Sequence, residues 1–174
     1  GWQPSWWCMT GAERGKALTG KPLTIRRHAS TVSIAGLGSI LIEGPSGSGK
    51  SMLALHLIER YGAELVSDDQ TLLNQLDSGD YMPDCPTEIR GRIEVRGVGL
   101  VPYPVAGEPE PVRLVARLGD RDAAQALERL PEVLPVTVIG DRSVPMLPLT
   151  MLEFGVPERV LAALRLAVHM HSEG

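Results

Sequence analysis

Ser39-Ile40-Leu41-Ile42-Glu43-Gly44-Pro45-Ser46-Gly47-Ser48-Gly49-Lys50-Ser51 is the stretch whose reading decides the fold. Its first five residues are an apolar run of strand length, and residues 44–51 complete the P-loop pattern with its Gly-Lys-Ser end. Residues 52–61 then read as a helix, so the glycines fall in a strand-to-helix turn, the context the motif requires. Glycine there tolerates positive φ and lets the main chain approach a ligand. The N–H groups of residues 47–51 can converge on phosphate oxygens at a helix N-terminus, where the dipole favours anions. Lys50 is spaced to reach β- and γ-phosphates, and Ser51 offers a hydroxyl to a nucleotide-bound Mg²⁺. A Gly/Ser-rich linker matching by chance would lack these flanks. Gly44, Pro45, Ser46, Gly47, Ser48, Gly49, Lys50 and Ser51 are therefore the candidate nucleotide-binding residues.

Upstream of the loop, residues 23–27 and 31–35 read as short strands, and Gly36-Leu37-Gly38 turns the chain into the P-loop strand, an antiparallel start. Downstream, the helix at residues 51–61 is apolar nearly all round, as expected of a helix lying on a sheet, and Gly62 stops it. Residues 64–67 form a strand that ends at Asp68-Asp69, and residues 71–76 form another that ends in the turn-rich Asp77-Ser78-Gly79-Asp80. The acid pair thus sits at a strand's carboxyl end, the edge of an α/β sheet where ligands bind. Neighbours on an extended chain point to opposite sides, so only one of Asp68 and Asp69 is expected to face the γ-phosphate squarely. A solvated turn or helix cap is the alternative for the pair.

Residues 90–99 read as one short, heavily charged strand framed by glycines, unlike a fully buried strand. Residues 102–111 are a proline-rich loop, 112–118 a strand, 121–130 a helix, and 136–139 a strand. Val160, Leu161, Leu164 and Val168 recur at helical spacing through residues 157–171, with Pro157 suited to the first turn. These elements alternate as an α/β fold: a mixed sheet core with flanking helices and a P-loop. A length of 174 residues with 43% apolar content suits one such domain. It is expected over residues 23–174, with residues 1–22 as a lead segment that carries Trp2, Trp6 and Trp7.

A net charge of −4, with basic residues scattered along the chain, argues against nucleic acid as the main partner. No apolar run approaches the ~18 residues of a membrane span, and no signal-peptide order opens the chain, so a cytoplasmic location without membrane contact is expected. Cys8 and Cys85 fit neither a disulfide framework nor metal-ligand spacing and read as reduced and structural.

Four ordered elements resemble the HPr kinase/phosphorylase family: the P-loop at residues 44–51, Ser67-Asp68-Asp69 one strand beyond it, Glu94-Val95-Arg96-Gly97-Val98-Gly99, and His28 shortly upstream. The last hexapeptide stands where the family carries Glu-Ile-Arg-Gly-Leu-Gly, and the resemblance covers about residues 23–100. It implies the P-loop fold shared by HPr kinase and PEP carboxykinase. It also implies ATP- and Mg²⁺-dependent phosphorylation of the regulatory serine of HPr, a carrier of the bacterial phosphotransferase system, and the reverse phosphorolysis.

Carried over residue by residue, Asp68 would take the proton of the attacking serine hydroxyl and return it in the reverse direction. Asp69 would support the metal or the nucleophile, His28 would assist, Glu94 would join Ser51 on Mg²⁺, and Arg96 would line the substrate site. Read without the resemblance, Glu94 and Arg96 share a strand face as a surface ion pair, and His28 is a strand-end residue.

The resemblance further implies HPr or a related carrier as partner and a homo-oligomer, the family's hexamer. Full-length members carry an additional N-terminal domain, so the chain resembles the short form typical of alphaproteobacteria. The family's basic Pro-Gly-Arg-Asn segment has no clear counterpart here, Gly140-Asp141-Arg142-Ser143 being the nearest candidate. Two other functions fit a P-loop. A small-metabolite kinase would carry an arginine-rich lid, whereas Arg113, Arg117, Arg121 and Arg129 show no lid pattern. A regulatory module would bind nucleotide without turnover.

Overall fold

The computed structural model describes residues 23–119 and 121–173. The expected lead segment, with its three tryptophans and Cys8, lies outside the described residues. In chain order the strands are β1 (Thr24–Arg27), β2 (Ala29–Ile34), β3 (Gly38–Glu43), β4 (Glu64–Ser67), β5 (Thr71–Gln75), β6 (Tyr81–Asp84), β7 (Arg92–Val95), β8 (Gly99–Pro102), β9 (Val112–Leu118), β10 (Val136–Ile139) and β11 (Arg142–Leu149). The helices are α1 (Lys50–Tyr61), α2 (Arg121–Gln125) and α3 (Val156–Ser172).

Strand β3 is central to the main sheet, whose order is β10-β11-β9-β3-β2-β4. It pairs parallel with β9 and antiparallel with β2, while β4 is antiparallel to β2 and β11 parallel to β9. Strands β3, β4, β9 and β11 therefore point the same way, and the P-loop and the acid pair emerge at one edge.

The period of two explains why β3 had to be a continuous apolar run. Ile40 and Ile42 pack toward Leu53, Leu57, Val160 and Leu164 of α1 and α3, whereas Leu41 packs with Leu73 and Tyr81 of a second sheet. That second sheet is β1-β5-β6, so the molecule stacks helices, main sheet and small sheet in three layers. Helix α1 is buried on one side through Leu53, Ala54 and Leu57, with Met52 exposed, so it is less apolar all round than its composition suggested. Gly62 closes it in the left-handed conformation, its N–H donated to the Leu57 carbonyl.

Several expectations are corrected. Strand β1 does not pair with β2; it turns away after Arg27 and pairs antiparallel with β5. The single strand expected over 90–99 is a hairpin, β7 and β8, joined at Arg96-Gly97-Val98 and separate from both sheets. Strands β6 and β11 were not anticipated, because Pro83, Pro145 and Pro148 argue against strand interiors. Helix α2 ends at Gln125 rather than at Leu130, which is exposed and followed by Pro131.

Candidate active site

Residues 44–49 leave β3 through a loop whose glycines at 44, 47 and 49 all take positive φ. At Gly49, the residue that opens α1, a Cβ would lie 2.5 Å from the Met151 side chain, so the segment after β11 lies against the flank of the loop. The first N–H groups of α1 have no intrahelical acceptor, which suits the helix start to an anion. Lys50 is 7% exposed, and its ammonium folds back over the loop and donates to the Gly44 carbonyl at 2.9 Å and the Pro45 carbonyl at 3.2 Å.

The two aspartates diverge as their adjacency demands. Asp68 is buried, and its carboxylate accepts hydrogen bonds from the hydroxyls of Ser30 at 2.6 Å and Ser51 at 2.8 Å and from the Glu94 N–H at 2.9 Å. It thereby fastens β2, the start of α1 and the β7–β8 hairpin to the end of β4. Asp69 turns outward at φ +69°, its side chain 62% exposed and 3.3 Å from His28 Nδ1. His28 occupies the bend between β1 and β2.

A cavity of about 350 Å³ opens over the loop and gathers Ser46, Gly47, Lys50, Ser51, Asp69, Glu94 and Arg96. Arg96 sits in the hairpin turn, not on the strand with Glu94, and its guanidinium leans over Gly47. Gly44 and Pro45 line the next crevice, on the other flank, where Glu43 pairs with Arg117 at 2.9 Å and Arg27 at 3.7 Å. The Ser48 hydroxyl is turned inward and finds no hydrogen-bond partner among the described residues. Arg142 is elsewhere: it ion-pairs with Asp80 at the start of β11, seven strand steps or about 23 Å from that strand's carboxyl end.

The donor set suits Mg²⁺ carried by a nucleotide. Such an ion takes few protein oxygens, and the Ser51 hydroxyl and Glu94 carboxylate open onto one cavity. No group of three His, Cys, Asp or Glu side chains gathers as a preformed metal cage among the described residues. Beneath the acid pair, Ser67 donates to Cys85 Sγ at 3.1 Å, and burial pushes the Cys85 thiol above its ordinary pKa of 9.0 against the opposing effects of Ser67 and Arg90. Ser30 escaped the sequence reading because its role depends on β2 lying beside β4, a pairing that no local signal announces.

A P-loop at the carboxyl edge of a mixed sheet, with a buried aspartate on its serine, defines an α/β protein of the P-loop class. The chain belongs to the HPr serine kinase C-terminal domain family, whose model matches residues 22–153. HPr kinase/phosphorylase of Bordetella petrii is 38% identical over 110 residues, 60% of this chain and 35% of the relative. That of Exiguobacterium is 33% identical over 126 residues, 69% of this chain and 40% of the relative. The chain thus spans between 23% and 40% of the length of the curated relatives it matches. The Hpr(Ser) kinase/phosphatase structure from Coxiella burnetii aligns with a TM-score of 0.72 at 25% identity, covering 86% of this chain and 95% of that one. No helix among the described residues is long and apolar enough to cross a membrane.

Proposed function

We propose that this chain is the catalytic domain, over residues 23–174, of an ATP- and Mg²⁺-dependent kinase that phosphorylates a serine of HPr or a related carrier protein. The observation that carries this reading is the meeting of Lys50, Ser51, Asp69, Glu94 and Arg96 over the P-loop, with Asp68 tied to Ser51 beneath. Phosphoryl transfer needs charge neutralisation, a metal and a positioned nucleophile, and these residues divide that work.

In this reading Lys50 leaves the loop carbonyls for the β- and γ-phosphates, and the α1 N–H groups hold the remaining oxygens. Ser51 and Glu94 would hold Mg²⁺, which would supply offsetting positive charge to the transferred phosphoryl group. Arg96 orients the transferred group. Asp68 accepts the serine proton, the role that the family resemblance implies, once the acceptor serine displaces one of the hydroxyls of Ser30 and Ser51 that Oδ1 now holds. Asp69 and His28 steady the acceptor.

The exposure of Asp69 beside His28 favours a second assignment, in which Asp69 is the base and Asp68 only orients Ser51. Incubation with HPr, Mg²⁺ and γ-labelled ATP tests the kinase reading, and the absence of label in any carrier sinks it. The same assay on Asp68→Asn and Asp69→Asn separates the two assignments, because the base is the position whose amide loses about 10³-fold or more. Phosphorolysis and hexamer assembly belong to the same proposal. Release of pyrophosphate from phosphorylated HPr and sedimentation of the purified chain are their respective tests.

A further inference from the structure

At the edge of the main sheet opposite the P-loop, where β9 and β11 begin and α3 ends, there is a second cavity of about 190 Å³. Its chemistry is unlike that of the nucleotide site. Arg113 and Arg142 both reach the same oxygen, Asp80 Oδ1, at 3.0 and 3.2 Å, so one buried carboxylate serves two guanidinium groups. The cluster carries a net positive charge, and the arginines are only 21% and 39% exposed.

The facing wall is mostly apolar: Val112 and Val144 from the strand starts, and Ala167 and Met170 from the last turns of α3, with His171 and Ser143 as its polar members. The site is built as well as charged. Asp80 is fixed by its turn, its carbonyl accepting from the Leu76 N–H at 2.8 Å, and the Arg113 stem lies across Gly38, where a Cβ would come within 2.5 Å of it. The two guanidiniums are therefore held in place before any ligand arrives, which lowers the ordering cost of binding. A partly buried cation in excess of its counter-charge is costly, and an anion entering the cavity offsets that cost. Arginine pairs favour carboxylate or phosphate through paired N–H donors. The volume holds about six waters, and the apolar wall rewards a ligand with a hydrocarbon body rather than a bare oxyanion.

We propose that this cavity binds a small carboxylic acid with a compact apolar body of about four to seven carbons, its carboxylate on Arg142 and Arg113 and its body against Val144, Ala167 and Met170. The site shares no residue with the P-loop cavity and does not rest on the kinase reading.

Titration calorimetry of the full 174-residue chain with 3-methylbutanoate tests it, with acetate and inorganic phosphate as comparison probes. Saturable binding with Kd below about 5 mM is expected. Binding is expected to weaken at least tenfold in Arg142→Gln and in Ala167→Leu, which fills the cavity with all charges kept, and to be unchanged in Lys50→Ala. Acetate and phosphate are expected to bind at least fivefold more weakly. The proposal is overturned by the absence of saturable binding at that concentration, by equal affinity in Ala167→Leu, by loss in Lys50→Ala, or by acetate or phosphate binding as well as 3-methylbutanoate. Because Arg142→Gln also removes an ion pair, a two-state thermal melt checks its fold, and Ala167→Leu stands as the independent variant.

Discussion

Ser51 Oγ donates a 2.8 Å hydrogen bond to Asp68 Oδ1, the oxygen that Ser30 reaches from β2 at 2.6 Å. The second residue of α1 and the residue that follows β4 are thus joined through one buried carboxylate, although 17 positions separate them in the chain. This places Asp68 in the structural frame of the loop, a role that can be separated from the chemistry proposed for it.

Asp68→Ala leaves the Ser30 and Ser51 hydroxyls and the Glu94 N–H without their acceptor, inside a region where Asp68 itself is 5% exposed. Unmet buried donors cost about 1–3 kcal/mol each, less where a water can enter, so urea denaturation is expected to show a loss of about 3 kcal/mol. Asp68→Asn keeps the shape and one acceptor oxygen and should lose about half as much. Stability of Asp68→Ala within 0.5 kcal/mol of the parent, a margin of about the size of ordinary surface substitutions, would sink this account of the frame.

Asp69 is the one non-glycine residue at positive φ among the described residues, at +69°. Aspartate tolerates that region better than most residues, and a β-branched side chain tolerates it badly. Asp69→Gly is expected to leave the melting temperature unchanged or slightly raised while phosphoryl transfer falls at least tenfold. Asp69→Val should destabilise by about 1–3 kcal/mol. A marked loss of stability in Asp69→Gly would show that the carboxylate, through His28, holds the turn.

The pH dependence of stability has a specific source beneath the acid pair. Burial raises the Cys85 thiol above its ordinary 9.0, so the folded state holds this proton more tightly than the unfolded chain. That contribution is complete below pH 9.0 and is lost as pH rises through the folded-state value. Denaturant midpoints taken from pH 8 upward should therefore fall in the parent, and fall less steeply in Cys85→Ala. Tyr61, Tyr81 and Tyr103 are also raised from 10.0, so the slope that cysteine removal abolishes is the part that begins below pH 10. Parallel slopes in the two proteins would remove Cys85 as the source.

Local sequence carried the P-loop half of the fold because its signals are local. The run Ile40-Leu41-Ile42, the loop glycines and the Gly62 stop each state a backbone requirement within a few residues. What remained hidden depends on distant pairing. Nothing near Thr24–Arg27 tells that this strand joins β5 instead of β2, and nothing near Ser30 tells that Asp68 will lie within 2.6 Å. In β11, Pro145 and Pro148 obscured a strand that the parallel ladder with β9 and the antiparallel ladder with β10 nevertheless maintain. The placement of Arg142 at the far edge followed from that missed strand. Its cluster with Arg113 and Asp80 joins three segments that no spacing rule connects.

Lys50 offers the most direct check on the nucleotide reading. Its ammonium is held by two loop carbonyls at 2.9 and 3.2 Å, neutral acceptors that a polyphosphate can replace with a stronger, charged partner. Lys50→Met keeps the buried stem and removes only the charge, so stability should stay within about 1 kcal/mol of the parent. Affinity for Mg-ADP, measured by calorimetry, is expected to fall at least tenfold. Lys50→Arg tests the geometry instead: the wider guanidinium fork cannot occupy the point that serves both Gly44 and Pro45 and should rescue little of the loss. Full rescue by arginine would mean that charge alone is required and that the close fit of the ammonium to the loop has no part in binding.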